Sequence, residues 1–282
     1  MADLPPLPAD SLFTAVGRDA FLPTVLSRGP WDERALHGGP SAALFAHAVE
    51  SVVEDTTAGD GVDWFVARLT VELERPVPVE PLTVRTDVLR PGRKVSLVDA
   101  TITLAATGAV LARARALRIR QADVALPHDD EELGPMLACE PAPSAPEHGE
   151  PMTGVIDGYP GYHNVATEHR FARGSWEQLG PVFDWIRLRV PVLPGVDLTP
   201  LQRVAGAADF ANGISRVLSF DSHLFINPDL TIHLVRPALG EWIGVDASTH
   251  HGPRGVGMSD SALFDVEGRI GRSNQSLLLD HR

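Results

Sequence analysis

Apolar residues recur at helical spacing in two places along the chain, 40–53 and 200–213. Leu44, Ala48 and Val49 share one side of the first run, and Leu201, Val204 and Ala208 share one side of the second. Each run is followed by segments that alternate apolar and polar residues. "LTVRTDVLR" from Leu82 and "KVSLVDATITL" from Lys94 alternate well, and "GAVLARARALRIR" from Gly108 alternates in its second half. A period of two predicts strands with one face turned inward, here punctuated by Arg-Pro, Pro-Gly and Gly turns. Strands are also expected ahead of each helix, at 12–16 in the first case and at 163–172 and 183–190 in the second.

The two stretches repeat one another. Leu69-Thr-Val matches Leu230-Thr-Ile and Arg75-Pro76 matches Arg236-Pro237, both 161 residues apart. Gly92-Arg answers Pro253-Arg and Asp99 answers Asp260 at the same offset. A one-residue gap then aligns Gly108 with Gly268 and Leu117 with Leu277. One register held over some fifty residues marks a duplication. Each copy is a helix followed by a long antiparallel meander, which predicts two α+β units whose helices are wrapped by curved sheets. Joining them into one continuous sheet would cover their edge strands. Residues 126–153, rich in Pro, Glu and Asp, are expected to be a linker between an N-terminal half, 1–125, and a C-terminal half, 154–282.

Composition narrows the classes. The 282 residues are 44% hydrophobic and 22% charged, as in ordinary globular proteins. No stretch approaches the ~20 apolar residues of a membrane span, and "MADLPPLPAD" lacks the basic start and apolar core of a secretory leader. A single cysteine, Cys139, excludes an internal disulfide framework, so a cytoplasmic location is expected. The net charge of −13 argues against general nucleic-acid binding. The alternating arginines of 113–120 read mainly as the solvent face of a strand. No zincin spacing of histidines, Gly-x-Ser-x-Gly elbow or phosphate loop is present, so no metal or cofactor is expected.

One stretch brings bare backbone to a helix start. In "ALHGGPSAALFAHAVE", from Ala35, Gly38 and Gly39 permit close approach, and Pro40 suits the first turn. Amides there can stabilise a partial negative charge, or the glycines can simply pack the helix against the sheet. On the first reading, a bulkier residue at Gly39 should impair turnover more than folding. His37 reads as a turn or lining residue.

The duplicated helix-plus-meander with Gly-Gly at its first helix resembles the double hotdog. The resemblance extends to the acyl-CoA thioesterase II-like branch of the thioesterase superfamily. It is carried by "RGPWDERALHGGPSAAL", "TPLQRVAGAADFANG", "FINPDLTIHLVRPALGEWIGVDAST" and "GRIGRSNQSLLL", and covers most of the chain apart from the linker. It implies acyl-CoA as substrate and a water held by an Asp, a Thr or Ser, and a Gln. The Asp matches Asp209 and the Gln matches Gln275. The hydroxyl position is occupied by Asn227, a departure from the pattern, with Thr231 as an alternative if even spacing puts it on the same side. Gly38 and Gly39 would form the oxyanion clamp. The resemblance also allows a homo-oligomer through the sheet backs.

Chemistry supports these types. Hydrolysis of a thioester needs a positioned water, a base and donors for the oxyanion. Asp209 stands in an uncharged helix where burial could make it a base, or it is only a carboxylate caught in a turn with Asn212 and Gly213. By the repeat register Asn227 corresponds to Val66 and Gln275 to Arg115, and Asp209 lies near Ala48, with Glu50 close by as the alternative counterpart. The polar set is confined to one copy, which predicts one site per chain at the seam between the halves. A non-catalytic acyl-CoA or lipid-binding protein and an enoyl-CoA hydratase or dehydratase remain as alternatives.

Overall fold

The computed structural model describes residues 4, 6–53, 63–152 and 159–282. Thr153, the last expected linker residue, and residues 1–3 and 5 of the amino-terminal stretch lie outside them. The N-terminal half runs β1 (Phe13–Ala15), β2 (Ala20–Pro23), α1 (Gly38–Glu50), β3 (Trp64–Leu73), β4 (Leu82–Arg90), β5 (Val95–Leu104) and β6 (Val110–Arg120). A connecting stretch holds a short helix α2 (Gly134–Leu137) and a two-residue strand β7 (Glu150–Pro151). The C-terminal half follows with β8 (Thr167–Arg173), β9 (Val182–Leu188), α3 (Pro200–Ala208), α4 (Ala211–Ile214) and β10 (His223–Ile226). It closes with β11 (Asp229–Leu234), β12 (Trp242–His251), β13 (Val256–Asp265) and β14 (Gly268–His281).

Among the described residues all strands join one sheet, ordered β1-β2-β4-β5-β6-β3-β11-β14-β13-β12-β9-β8-β7, with β10 alongside β14. That order is nearly palindromic, as a duplication requires. The halves meet where β3 pairs antiparallel with β11, and the pairing is centred on Thr70 opposite Thr231. These are the two residues that the 161-residue register equates, so a pseudo-twofold axis passes between them. This is the double hotdog architecture.

The last strand departs from the expected register. Asp99 pairs with Arg115 and Val98 with Ala116, while Asp260 pairs with Asn274 and Ser259 with Gln275. Arg115 is therefore the counterpart of Asn274, and Gln275 is the counterpart of Ala116, not of Arg115. The side chains agree: Arg115 donates to Asp99 at 2.7 Å and Asn274 donates to Asp260 at 3.0 Å on the outer face. Both hairpins carry an equivalent bulge, at Ile102/Thr103 and Leu263/Phe264, but six residues lie between the paired Thr103 and Val110 and only four between Phe264 and Arg269, so the turn is shorter by two residues rather than one. A one-residue slip turns every side chain to the opposite face.

In β6 the buried Ala112, Ala114 and Ala116 alternate with Arg113 and Arg115, which pair with Glu74 and Asp99. The alternating arginines thus decorate the outer face, where each pair contributes about 0–1 kcal/mol. Arg118 is the exception. It is buried, and its guanidinium donates to the Val52 carbonyl at 3.0 Å, just beyond the end of α1.

α1 and α3 lie in the concave face of the sheet. Residues 39–46 of α1 are all buried, which explains the run of Gly, Ala and Ser: small side chains admit a second helix beside the first. Phe45 and Leu44 anchor it to the sheet, each worth roughly 1.5–3 kcal/mol by burial. The helices run antiparallel, so that each N-cap meets the other's C-terminal carboxylate. His37 caps α1 beside Asp209, and Thr199 caps α3 while donating to Glu50 at 2.7 Å. The expected second helix, 200–213, is broken at Asp209 into α3 and α4. The connecting stretch lies along the C-terminal half, with the Trp185 indole donating to the Ser144 carbonyl at 3.1 Å. No helix among the described residues is long and apolar enough to cross a membrane.

Candidate active site

Asp209 is the C-cap of α3, and its side chain does not close the local turn. It points across the helix pair and is almost fully buried. Oδ1 accepts from the Asn227 amide at 2.8 Å and from the Gln275 amide at 3.2 Å. Oδ2 lies 2.8 Å from Nδ1 of His37, in the other half of the chain. Asp209, Asn227, Gln275, His37 and Gly38 are thus brought together.

Each partner is placed by its element. Gln275 faces inward on β14, donates also to the Asp209 carbonyl at 3.2 Å, and accepts from the Asn212 backbone N–H at 3.1 Å. Both ends of its amide are therefore fixed. Asn227 occupies the break between β10 and β11, made by Pro228, which has no N–H for a ladder. In β3 the equivalent place is the bulge between Val66 and Arg68. Asn227 donates to the Asp229 carbonyl at 3.2 Å, which holds the amide facing the carboxylate.

Thr231 is elsewhere. The break at Asn227 ends the spacing argument, and within β11 Thr231 faces away from the buried Leu230 and Ile232. Its hydroxyl meets that of Thr70 at 3.4 Å on the pseudo-twofold axis. The alternative assignment to Thr231 is corrected accordingly.

The two glycines have separate tasks. A Cβ on Gly38 would stand 2.6 Å from Oδ2 and 2.7 Å from Oδ1 of Asp209. A Cβ on Gly39 would stand 2.6 Å from Cε1 of Tyr162 and 2.7 Å from the Gly206 carbonyl oxygen. Gly38 makes room for the carboxylate; Gly39 makes room for the second helix and the tyrosine beneath it. The first backbone amides of α1 are among those with no intrahelical acceptor, and here they lie beside Asp209.

Sequence reasoning missed an aromatic and polar shell. Phe210 lies 4.7 Å from the His37 ring and stacks on Tyr162 at 5.4 Å. Tyr162 is fully buried, and burial with the Asp209 charge pushes its phenol well above its usual range. Behind Phe210, His169 contacts Asp184 at 2.6 Å and Thr167 at 3.0 Å. Burial raises the Asp184 carboxyl even against the pull of His169. Next to Tyr162, burial lowers His163 to about 3, with the neighbouring His37 and His169 adding to the effect. Asn212 was legible only as a turn residue, yet its backbone N–H fixes Gln275. No cluster of metal-ligating side chains occurs among the described residues.

Two family models match the chain, the acyl-CoA thioesterase N-terminal domain over residues 27–119 and the acyl-CoA thioesterase C-terminal domain over residues 137–279. Among solved structures, the chain is similar to a protein provisionally called thioesterase II from Thermobifida fusca. Identity is 16%, TM-score 0.69, and the match covers 97% of this chain and 99% of that one. A hot dog fold protein of unknown function from Alicyclobacillus acidocaldarius matches at 16% identity and TM-score 0.67, over 94% and 95% of the two chains. The acyl-CoA thioesterase II TesB2 of Mycobacterium marinum matches at 16% identity and TM-score 0.63, over 96% of each. At such identity these likenesses establish the fold alone. No curated protein matches the chain.

Proposed function

The chain belongs to the acyl-CoA thioesterase family, and from that premise we propose that it hydrolyses acyl-CoA to the free acid and CoA by direct attack of water. The observation that carries this reading is the Asp209 carboxylate, buried at the seam and held by nitrogen groups from three other segments. Asp209 supplies the negative charge that makes the site basic, and the Asn227 and Gln275 amides fix its orientation and that of the water. The backbone amides of Gly38 and Gly39 at the start of α1, the latter 3.0 Å from Nδ1 of His37, stabilise the developing oxyanion. The Gln275 counterpart in the N-terminal half is Ala116 and that of Asn227 is Val66, so this reading has one site per chain. The substrate pool we assign is cytoplasmic acyl-CoA.

Asn227 in place of a hydroxyl residue fits this role, because its amide donates to Asp209 at 2.8 Å while its Oδ1, which accepts from the Asn212 amide at 3.5 Å, has a second lone pair for a water. A hydratase would also pair an Asp with a His, and His37 stands beside Asp209 here, although from the other helix. Release of free thiol separates the two, since hydration of a double bond liberates no CoA. A panel of acyl-CoA substrates followed with a thiol reagent tests the proposal, with wild type active and Gln275→Ala strongly impaired. Binding of acyl-CoA without thiol release would overturn it in favour of a carrier.

A further inference from the structure

His37 is the member of this cluster with contradictory demands on a single atom. Its Nδ1 lies 3.0 Å from the Gly39 backbone N–H, which requires a lone pair, and 2.8 Å from Oδ2 of Asp209, which requires a proton. One nitrogen cannot satisfy both at once. Oδ1 of Asp209 already accepts two amide N–H groups, the arrangement of a carboxylate. A proton on Nδ1 completes the set, giving Asp209 three N–H donors.

Two consequences follow from that tautomer. Nε2 is left bare as an acceptor, and no described residue bonds it. The Gly39 N–H loses its acceptor in the imidazole and becomes one more free donor at the start of α1. Access differs between the partners as well: the His37 side chain keeps 11% of its surface exposed, against 4% for Asp209. The ring, held against Phe210 at 4.7 Å and Tyr162 at 5.1 Å, is the more reachable edge of the pair.

We propose that His37 carries the proton of this reaction at Nε2, with Asp209 acting through it as a positioning residue. The proposal rests on the thioester-hydrolysis reading. As the water oxygen bonds to the carbonyl carbon, one water proton passes to Nε2 and the carbonyl π pair moves onto oxygen beside the Gly39 N–H. The imidazolium so formed is stabilised by the Asp209 carboxylate. When the oxyanion re-forms the carbonyl, the C–S bond breaks with its electron pair on sulfur, and Nε2 returns the proton to that sulfur. The products are the acid and the thiol, and His37 ends as it began, protonated at Nδ1.

His37→Asn is the informative variant. Asparagine is a favoured N-cap and keeps an amide where Nδ1 stands, but has nothing at Nε2. Its thermal transition should stay near that of wild type and KM should change little, while kcat on acyl-CoA falls about 10²- to 10⁴-fold. The loss should be smaller on an aryl thioester, whose thiolate leaves without needing a proton. A second readout needs no turnover: the ¹⁵N shifts of His37 in wild type should report Nδ1–H with bare Nε2, and Asp209→Asn should abolish that preference. Thiol release with an undiminished His37→Asn, or a wild-type ring protonated only at Nε2, overturns the proton route alone. Absence of thiol release from wild type with every acyl-CoA overturns the hydrolysis reading and the route together.

Discussion

Alanine at Gly38 and alanine at Gly39 should fail in opposite ways. At Gly38 the added Cβ would approach the Asp209 carboxylate to 2.6–2.8 Å. Ordinary contact is roughly 3.4 Å or more, so the carboxylate must retreat by about 0.6–0.8 Å. It is a side chain and can move, but only by leaving its 2.8 Å contacts with His37 and Asn227. A displacement near 1 Å at the reacting groups costs on the order of 10²-fold in rate, or about 2.7 kcal/mol of barrier. At Gly39 the Cβ would meet the Tyr162 ring at 2.6 Å and the Gly206 carbonyl at 2.7 Å. Neither can retreat cheaply, because Tyr162 is fully buried and one neighbour is the backbone of α3. Overpacking of this kind costs about 1–3 kcal/mol, which shifts the transition by a few degrees per kcal/mol in a chain of this size. Calorimetry and kcat/KM on both variants provide the assay. Gly38→Ala is expected to lose turnover out of proportion to its loss of transition temperature, and Gly39→Ala to lose transition temperature first. That reverses the expectation from sequence that a larger Gly39 affects turnover more than folding. Wild-type turnover in Gly38→Ala, or a stable but inactive Gly39→Ala, would refute the packing argument.

Gln275→Ala should lower kcat and also cost about 1–3 kcal/mol in urea unfolding, because it strands the buried Asn212 N–H; an unchanged unfolding midpoint would contradict the assigned hydrogen bond. His163 titrates at about 3 when folded and near 6.5 when unfolded, through burial first and then through His37 and His169. The unfolded chain therefore binds the extra proton between those values, and stability falls as pH drops from 6.5 towards 3, by up to about 1.4 kcal/mol per pH unit. His163→Phe should flatten that part of the stability curve, measured by denaturant titration from pH 4 to 7; an unaltered slope would remove His163 as its source.

Much of this architecture is legible in the chain. The 161-residue register, visible from Leu69 to Asp260, reappears as the Thr70–Thr231 pair at the pseudo-twofold axis. Three side chains named from the resemblance, Asp209, Asn227 and Gln275, converge in space. What escaped were facts of backbone geometry and long-range approach. The turn before β14 is two residues shorter than its counterpart where a single gap is legible, so Gln275 falls against Arg115 by the sequence register while its true counterpart is Ala116. Thr231 was credited with Asn227's face because even spacing presumes an unbroken strand, and Pro228 breaks it. His37 looked like a turn residue because nothing local announces a carboxylate on the antiparallel helix. The small side chains of "GGPSAA" were the one signal that such a helix would come so close.

If, as proposed, a single Asp209-centred site releases CoA from its thioester, the charge of Asp209 is indispensable. The most direct measurement is steady-state thiol release from acyl-CoA by wild type and by Asp209→Asn, an isosteric change that keeps the fold and removes the charge. Turnover in wild type and a loss of about 10²- to 10⁴-fold in the variant are expected. Undiminished turnover in Asp209→Asn would contradict that role for the charge.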